Sequence, residues 1–283
     1  MKKNKVHFST LLKSLMLAGL IAPCTARAAD APASPHTITT NVGLVSDYIW
    51  RGISQTSHKP AIQGGFDYAH SGGFYAGIWG SNISWIVDTA ATTAGGSASL
   101  ELDTYFGFKH DFAQNFAYDI GFIRYNYPGT YTPAASSVNA VPGNVARADT
   151  NEIYGAISYK WLTAKYSHGL GQFLTIPGAR GTRYLDLSAN YPVADSGFMI
   201  MGHVGRQTYK GTYADGLAAI TTGAAGTGTP TYTDYKLGIS KDISGYVLGA
   251  AYTHTNASSF YTAANVNKKL GKGTGAVSLS RAF

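Results

Sequence analysis

Cysteine, charge and long apolar runs are all scarce in this chain. The one cysteine, Cys24, lies in a segment expected to be removed, so no disulfide, thiolate metal site or cysteine nucleophile remains. Charged residues make up 13% of the sequence, where a soluble domain carries about 25%. No apolar run long enough for a spanning helix follows residue 23, which argues against a helical membrane protein. The 8 histidines are scattered without metal-ligand spacing. No Gly-x-Ser-x-Gly elbow is present. No cofactor and no metal are therefore expected.

The first residues read as an address. Lys2, Lys3 and Lys5 precede an apolar run from Leu11 to Pro23, broken by Lys13 and Ser14. Ala26-Arg27-Ala28 then offers a small-x-small cleavage site. The run falls far short of the ~20 apolar residues that span a bilayer. Residues 1–28 are thus expected to be a secretory signal peptide, and 29–37 a short Ala/Pro/Ser leader. Residues 1–28 hold five basic side chains (Lys2, Lys3, Lys5, Lys13, Arg27) and no acidic one. Taking those five from the 22 leaves 17 against 15 acidic residues, a net of +2. No basic patch argues for nucleic acid.

What is abundant is aromatic and small. The sequence has 20 Tyr, 12 Phe, 4 Trp and 34 Gly, with a mean hydropathy of −0.06. Period-two alternation recurs at about 20-residue spacing, the repeat of a strand plus its connection. Strands are expected over Ile38–Trp50, Ala61–Ala69, Phe74–Trp85, Leu100–Lys109, Phe116–Tyr127, Glu152–Tyr159, Leu162–His168, Thr182–Tyr191, Phe198–Tyr209, Tyr232–Ser240 and Tyr246–Thr255. A final strand runs to Phe283, with Val277, Leu279 and Phe283 on one face and Ala276, Ser278, Ser280 and Ala282 on the other. Apolar outward and small or polar inward suits a barrel wall in lipid.

The connections alternate in length. The long ones are roughly 51–60, 86–99, 128–151, 169–181, 210–231 and 256–271, and the short ones fall between them. Outer-membrane barrels share this asymmetry, with long loops on the external side. A soluble β-sandwich accounts for alternation in any one strand but not for the one-sided loops. The expected fold is all-β: a transmembrane antiparallel up-and-down β-barrel of 12 strands over residues 38–283, in the outer membrane of a Gram-negative bacterium. Twelve strands make a bore narrower than that of general porins. Loops 128–151 and 210–231 are long enough to fold into it.

Several stretches resemble a known family. They are Ser46-Asp47-Tyr48-Ile49-Trp50-Arg51-Gly52-Ile53-Ser54-Gln55, Pro60 to Tyr68, Gly73 to Asn82, Glu101 to Tyr105, Asn151 to Gly155 and Asp234 to Gly238. The chain is similar in these to the TorF family, a proteobacterial group of porin-type proteins without an assigned function. The resemblance implies an outer-membrane barrel and passive transport, and supplies no catalytic residues. The last strand also resembles the C-terminal strand of bacterial outer-membrane proteins. That likeness implies that Val277, Leu279 and Phe283 are read by the barrel-assembly machinery.

Charges collect on the faces expected to point inward. The candidate lumen residues are Asp47, Arg51, Asp67, Glu101, Asp103, Lys109, Asp119, Glu152, Lys160, Lys165, Asp186 and Lys236. A basic side chain facing lipid at mid-membrane would cost roughly 2–4 kcal/mol, so inward placement already serves stability. Two readings stay open: an ion-pair network that fills the bore, or a charged lining that orients a small polar solute. Arg281 shares the outward parity of Leu279 and would snorkel to headgroups of the outer-membrane lipid.

Two other function classes bear weighing. A non-conducting barrel could act as a receptor or adhesin through loop aromatics such as Tyr127, Tyr131, Phe173, Tyr213, Phe260 and Tyr261. A lipid hydrolase would need a serine beside a histidine base, for which His203 and His254 are candidates. The expected function is a channel for passive diffusion of a small polar solute, not an enzyme.

Overall fold

The computed structural model describes residues 34–88, 97–131, 147–174, 176, 178–211, 231–257, 261–263 and 266–283. The expected signal peptide and most of the leader lie outside the described residues, as do Tyr213 and Phe260.

Twelve strands form one closed antiparallel barrel. In chain order they are β1 (His36–Val45), β2 (Ala61–His70), β3 (Phe74–Asn82), β4 (Leu100–Ala113), β5 (Phe116–Asn126), β6 (Thr150–Tyr159), β7 (Leu162–Gly169), β8 (Arg183–Val193), β9 (Phe198–Thr208), β10 (Tyr232–Ile243), β11 (Tyr246–Thr255) and β12 (Thr274–Ala282). Each strand pairs with its sequence neighbours, and β12 closes onto β1 with Leu44 opposite Leu279. Phe283 extends the seam, donating its N–H to the Thr40 carbonyl at 2.8 Å and accepting from Thr40 N–H at 3.1 Å. Closure leaves no edge strand, so every wall strand has a partner on both sides.

Alternation explains the wall. Val42, Leu44, Ile62, Phe66, Leu185, Leu187, Leu237, Leu248, Val277 and Leu279 are all exposed on the outside. Their sequence neighbours point inward and are mostly small, polar or charged. Short turns join the strands at one end, here the turn end. At the other, the loop end, the connections are long.

The turn between β6 and β7 corrects one expectation. Lys160 is not a lumen residue. It occupies the left-handed region (φ 52°) in the tight Lys160-Trp161 turn, is exposed, and lays its ammonium 5.3 Å from the centre of the Tyr159 ring. A two-residue hairpin requires this backbone sign, and it turns the side chain out of the barrel.

A second correction concerns β1. The strand stops at Val45, short of Trp50, and the chain turns into the barrel. Ile49–Trp50 and Ile53–Ser54 form a two-residue ladder, bent at Arg51 (φ 46°) and Gly52 (φ 78°). Tyr48, which shares the parity of the outward Val42 and Leu44, is 1% exposed. Residues 46–60 therefore lie inside the bore. The apolar residues Tyr48, Trp50 and Ile53 have no buried place on the outside of the wall.

These side chains build one interior core at the loop end. It joins Tyr48, Trp50 and Ile53 to Trp85 and Ile86 from a short helix, α1 (Trp85–Asp88), and to Tyr125, Tyr127, Tyr131, Phe173 and Tyr232. β3, expected to reach Trp85, ends at Asn82 because the chain bends inward to supply this helix. Tyr127, Tyr131 and Phe173 are buried at 3%, 8% and 0% exposure. They belong to this core and present no face to a partner. Tyr261, the other described member of that set, packs edge-on against Tyr232 at 5.0 Å.

Candidate functional site: the inner wall of the barrel

The remaining inward charges fall into two groups by height. Near the loop end, Arg51 reaches from the inserted segment to β6. Its guanidinium grips Glu152 with both nitrogens, at 3.1 and 2.7 Å, and donates to Gln207 Oε1 at 2.9 Å. It lies between the faces of Trp50 and Tyr184, 4.3 Å from each ring centre. Burial disfavours this cation, but Glu152 and then Tyr125 outweigh burial and hold its pKa above the ordinary arginine value. Arg51 is thus a permanent charge, and its stem-to-wall pairing fixes the inserted segment.

Gly52 makes that approach possible. A Cβ there would stand 2.5 Å from Asp234 Cβ, and the residue already adopts a positive φ.

The other side of the segment is tied by Glu101, which accepts from the Tyr48 hydroxyl at 2.8 Å. Burial, and then Glu101, push the Tyr48 phenol well above its usual pKa, so it donates without ionising. Asp103, two residues on, is 3% exposed, and its Oδ1 has no hydrogen-bond partner among the described residues. Asp47 turns both oxygens onto its own segment. It accepts from Ser54 Oγ at 2.6 Å and Thr56 Oγ1 at 3.2 Å, and lies 2.7 Å from His58 Nδ1. Asp47 therefore holds the inserted turn and does not line the bore.

Lower down the inner wall is different in kind. Asp67, Lys109, Asp119, Lys165, Asp186 and Lys236 are all partly exposed although every one points inward. Lys109 stands directly opposite Asp119 on the neighbouring strand, and Lys165 opposite Asp186. Among the described residues, Lys109, Lys165 and Lys236 close no ion pair within 4.0 Å. Two of them lie over aromatic faces: Lys165 Nζ is 3.7 Å from the Tyr154 ring centre and Lys109 Nζ 5.3 Å from that of Tyr75.

Tyrosines organise the acids here. Tyr105 donates to Asp67 at 2.5 Å and Tyr75 to Asp119 at 2.6 Å, with the Tyr75 and Tyr154 hydroxyls 2.5 Å apart. The rings lie flat because glycine faces them. Tyr75 is paired with Gly107 and Tyr105 with Gly77 across β3 and β4. A Cβ on Gly107 would come within 2.3 Å of the Tyr75 hydroxyl. The inward parity of Tyr75 was readable from the outward Phe74 and Ile78, and that of Tyr154 and Tyr184 from Glu152 and Asp186 on the same strands. Aromatic side chains in such walls are expected outward, at the girdles, which hid them.

A third cluster spans β8 to β10. His203 has Asp186 Oδ2 3.0 Å from Nδ1 and Asp234 Oδ1 2.8 Å from Nε2, while Ser188 Oγ donates to Asp186 at 2.6 Å and sits 3.2 Å from His203 Nδ1. A serine, a histidine and an aspartate thus meet. The geometry does not make a general base, because both ring nitrogens face carboxylates and the serine proton is committed to Asp186. His254, the other candidate base, points outward beside Tyr252.

Residues 29–283 match the family described as "Bacterial protein of unknown function (Gcw_chp)". The chain belongs to that family. No curated protein matches the sequence. Among solved structures, this Gcw_chp member is similar to an outer membrane channel from Pseudomonas putida F1, at 13% identity and a TM-score of 0.46, over 92% of this chain and 100% of that one. It is similar to LpxR from Salmonella typhimurium at 10% identity and a TM-score of 0.40, over 87% of this chain and 99% of that one. It is similar to OprD from Pseudomonas aeruginosa at 11% identity and a TM-score of 0.37, over 87% of this chain. The Gcw_chp chain spans 66% of OprD and 59% of OccAB3 from Acinetobacter baumannii.

Proposed function

We propose that this protein is an outer-membrane channel for passive diffusion of a small polar solute, constricted at its loop end by the 46–60 segment. The outer wall supports the membrane part of this reading. It is apolar on a closed barrel whose strands run from 8 to 14 residues, and about 9–11 tilted residues cross a hydrocarbon core. TorF-like motifs and channels among the similar structures agree with it.

The observation that carries the channel reading is the state of the turn-end lysines. A bore filled for stability buries its charges in closed pairs, because an unpaired buried ion is costly. Lys109, Lys165 and Lys236 are partly exposed and unpaired among the described residues, with Asp67 and Asp119 near them. Such a lining suits water and a solute carrying both donors and acceptors. No step needs a cofactor or energy coupling.

A second reading, a barrel that stays shut, is favoured by the dry packing of Trp50 and Phe173. Planar-bilayer recording separates the two. The purified barrel is expected to give small unitary currents in KCl. Silence in every salt, both for the native chain and after shortening of 46–60, overturns the channel reading. Export through the periplasm and recognition of Val277, Leu279 and Phe283 by assembly machinery belong to the same proposal. Processing after Ala28 and assembly of a Phe283→Ala variant test them.

A further inference from the structure

At the loop end, the outer face of β5 and β6 changes from apolar to cationic within one residue pair. Going up β5, the outward residues are Phe116, Tyr118, Ile120 and Phe122, and then Arg124. On β6 they are Ile157 and Ile153, and then Asn151 directly opposite Arg124. Arg124 opens onto a recess of about 520 Å³ lined also by Arg147, Asp149, Asn151, Gly171 and Gln172.

The recess is built, not merely basic. Arg124 is held by Asn126 at 2.6 Å and by Asn151 at 3.2 Å. Arg147 donates to the Tyr127 carbonyl at 2.7 Å, lies 4.6 Å from the Tyr131 ring centre, and carries Gln172 on its own carbonyl at 2.8 Å. Both guanidinium groups remain open to solvent, with 42% and 47% of their side chains exposed. One carboxylate, Asp149, stands between them, 3.8 Å from Arg124 and 3.3 Å from Arg147. The local balance is therefore one excess positive charge, with planar donors fixed in place.

We propose that this recess binds the phosphorylated headgroup of a membrane lipid, with an acyl chain lying along Phe122, Ile120 and Ile153 below it. The proposal rests on the reading that the barrel spans a membrane. An anionic amphiphile fits both halves of the feature: fork-shaped arginine donors match phosphate oxygens, and the apolar ladder directly beneath matches an acyl chain. A free anion would use only the upper half. Basic pockets at membrane level recognise lipid headgroups in this way.

The test uses the purified, delipidated barrel in detergent and in vesicles. Native mass spectrometry reads binding of bisphosphorylated lipid A. Inorganic phosphate and a dephosphorylated lipid of the same acyl composition are run in parallel. The native barrel is expected to retain lipid A and to release the dephosphorylated lipid. The double substitution Arg124→Gln, Arg147→Gln is expected to weaken binding about 30-fold, the product of two basic headgroup contacts. Retention of the heat-modifiable band on gels shows that the double variant is folded, and Arg206→Gln, on β9 three strands from β6, should leave binding unchanged. Equal retention by native and double-variant barrels overturns the lipid site. Displacement of lipid A by millimolar phosphate makes it a free-anion site and also overturns it. Failure of the native barrel to enter vesicles removes the membrane reading itself, and the lipid site with it.

Discussion

The two halves of this barrel are built by opposite rules. At the loop end, the 46–60 segment, α1 and the ends of β5, β6 and β9 pack a dry core in which the charges are tied to partners, Asp103 excepted. Arg51 meets Glu152, Glu101 meets the Tyr48 hydroxyl, and Asp47 serves its own turn. At the turn end the same inward positions carry lysines without closed ion pairs and tyrosines laid flat on glycine. The wall is continuous across both, so the difference lies in what is inside it. A barrel of this width can be stabilised by filling one half, leaving the other half to water.

Restoring water to the filled half should have the largest effect. Replacing residues 49–58 by a short Gly/Ser turn removes Trp50, Arg51 and Ile53 together, and unitary conductance is expected to rise several-fold. An unchanged conductance would mean that the narrowest point lies among the turn-end charges. Glu152→Leu comes next. It leaves Arg51 buried without its carboxylate, at a cost of about 3–5 kcal/mol in urea unfolding from vesicles. Adding Arg51→Met should recover most of that loss, because the unpaired charge is then gone. If the single change costs nothing, the loop-end half is wet and the contrast fails.

Gly107→Val tests the turn-end half. Its new Cβ would meet the Tyr75 hydroxyl at 2.3 Å and the Ile120 carbonyl at 2.6 Å, an overpacking expected to cost about 1–3 kcal/mol. Lys165→Gln should leave stability nearly unchanged and shift the reversal potential in a KCl gradient toward cation preference, since one lining cation is lost. A large loss of stability there would instead make Lys165 part of a structural network. Lys160→Ala is the smallest. It sits in an exposed turn, so unfolding should move within about 0.5 kcal/mol and selectivity should not move.

Much of the wall was legible residue by residue. Twelve strands lie where alternation put them, although β1 and β3 end short of their expected bounds, and the charges assigned inward on β2, β4, β8 and β10 do point inward. The reason is local: lipid accepts apolar side chains only, so each strand carries its own period-two record. Errors came where the rule stops. Tyr48 keeps the parity of Val42 and Leu44 but follows the end of β1. Lys160 keeps inward parity but sits in a turn whose backbone sign overrides it. Loops 128–151 and 210–231 were long enough to fold into the bore, and most of both lies outside the described residues. What selected 46–60 was its content of Tyr48, Trp50 and Ile53, which the wall had no outside use for.

The site was legible as a list of charges and not as an arrangement. Asp67, Lys109, Asp119, Lys165, Asp186 and Lys236 were found by parity, because a charge on a wall strand has only one tolerable face. Their partners were not, since parity places Tyr75, Tyr105 and Tyr154 inside but nothing in the sequence says which acid or lysine each will meet. By itself, then, the sequence determined the wall: the strand count, the inward and outward faces and the end that carries the long loops. Only the closed tertiary structure decided the interior. Arg51 and Glu152 are 101 residues apart in sequence, and they meet because closure brings β6 across the bore from the segment after β1. Contacts made through a lumen depend on curvature and stagger, which no local pattern of residues encodes.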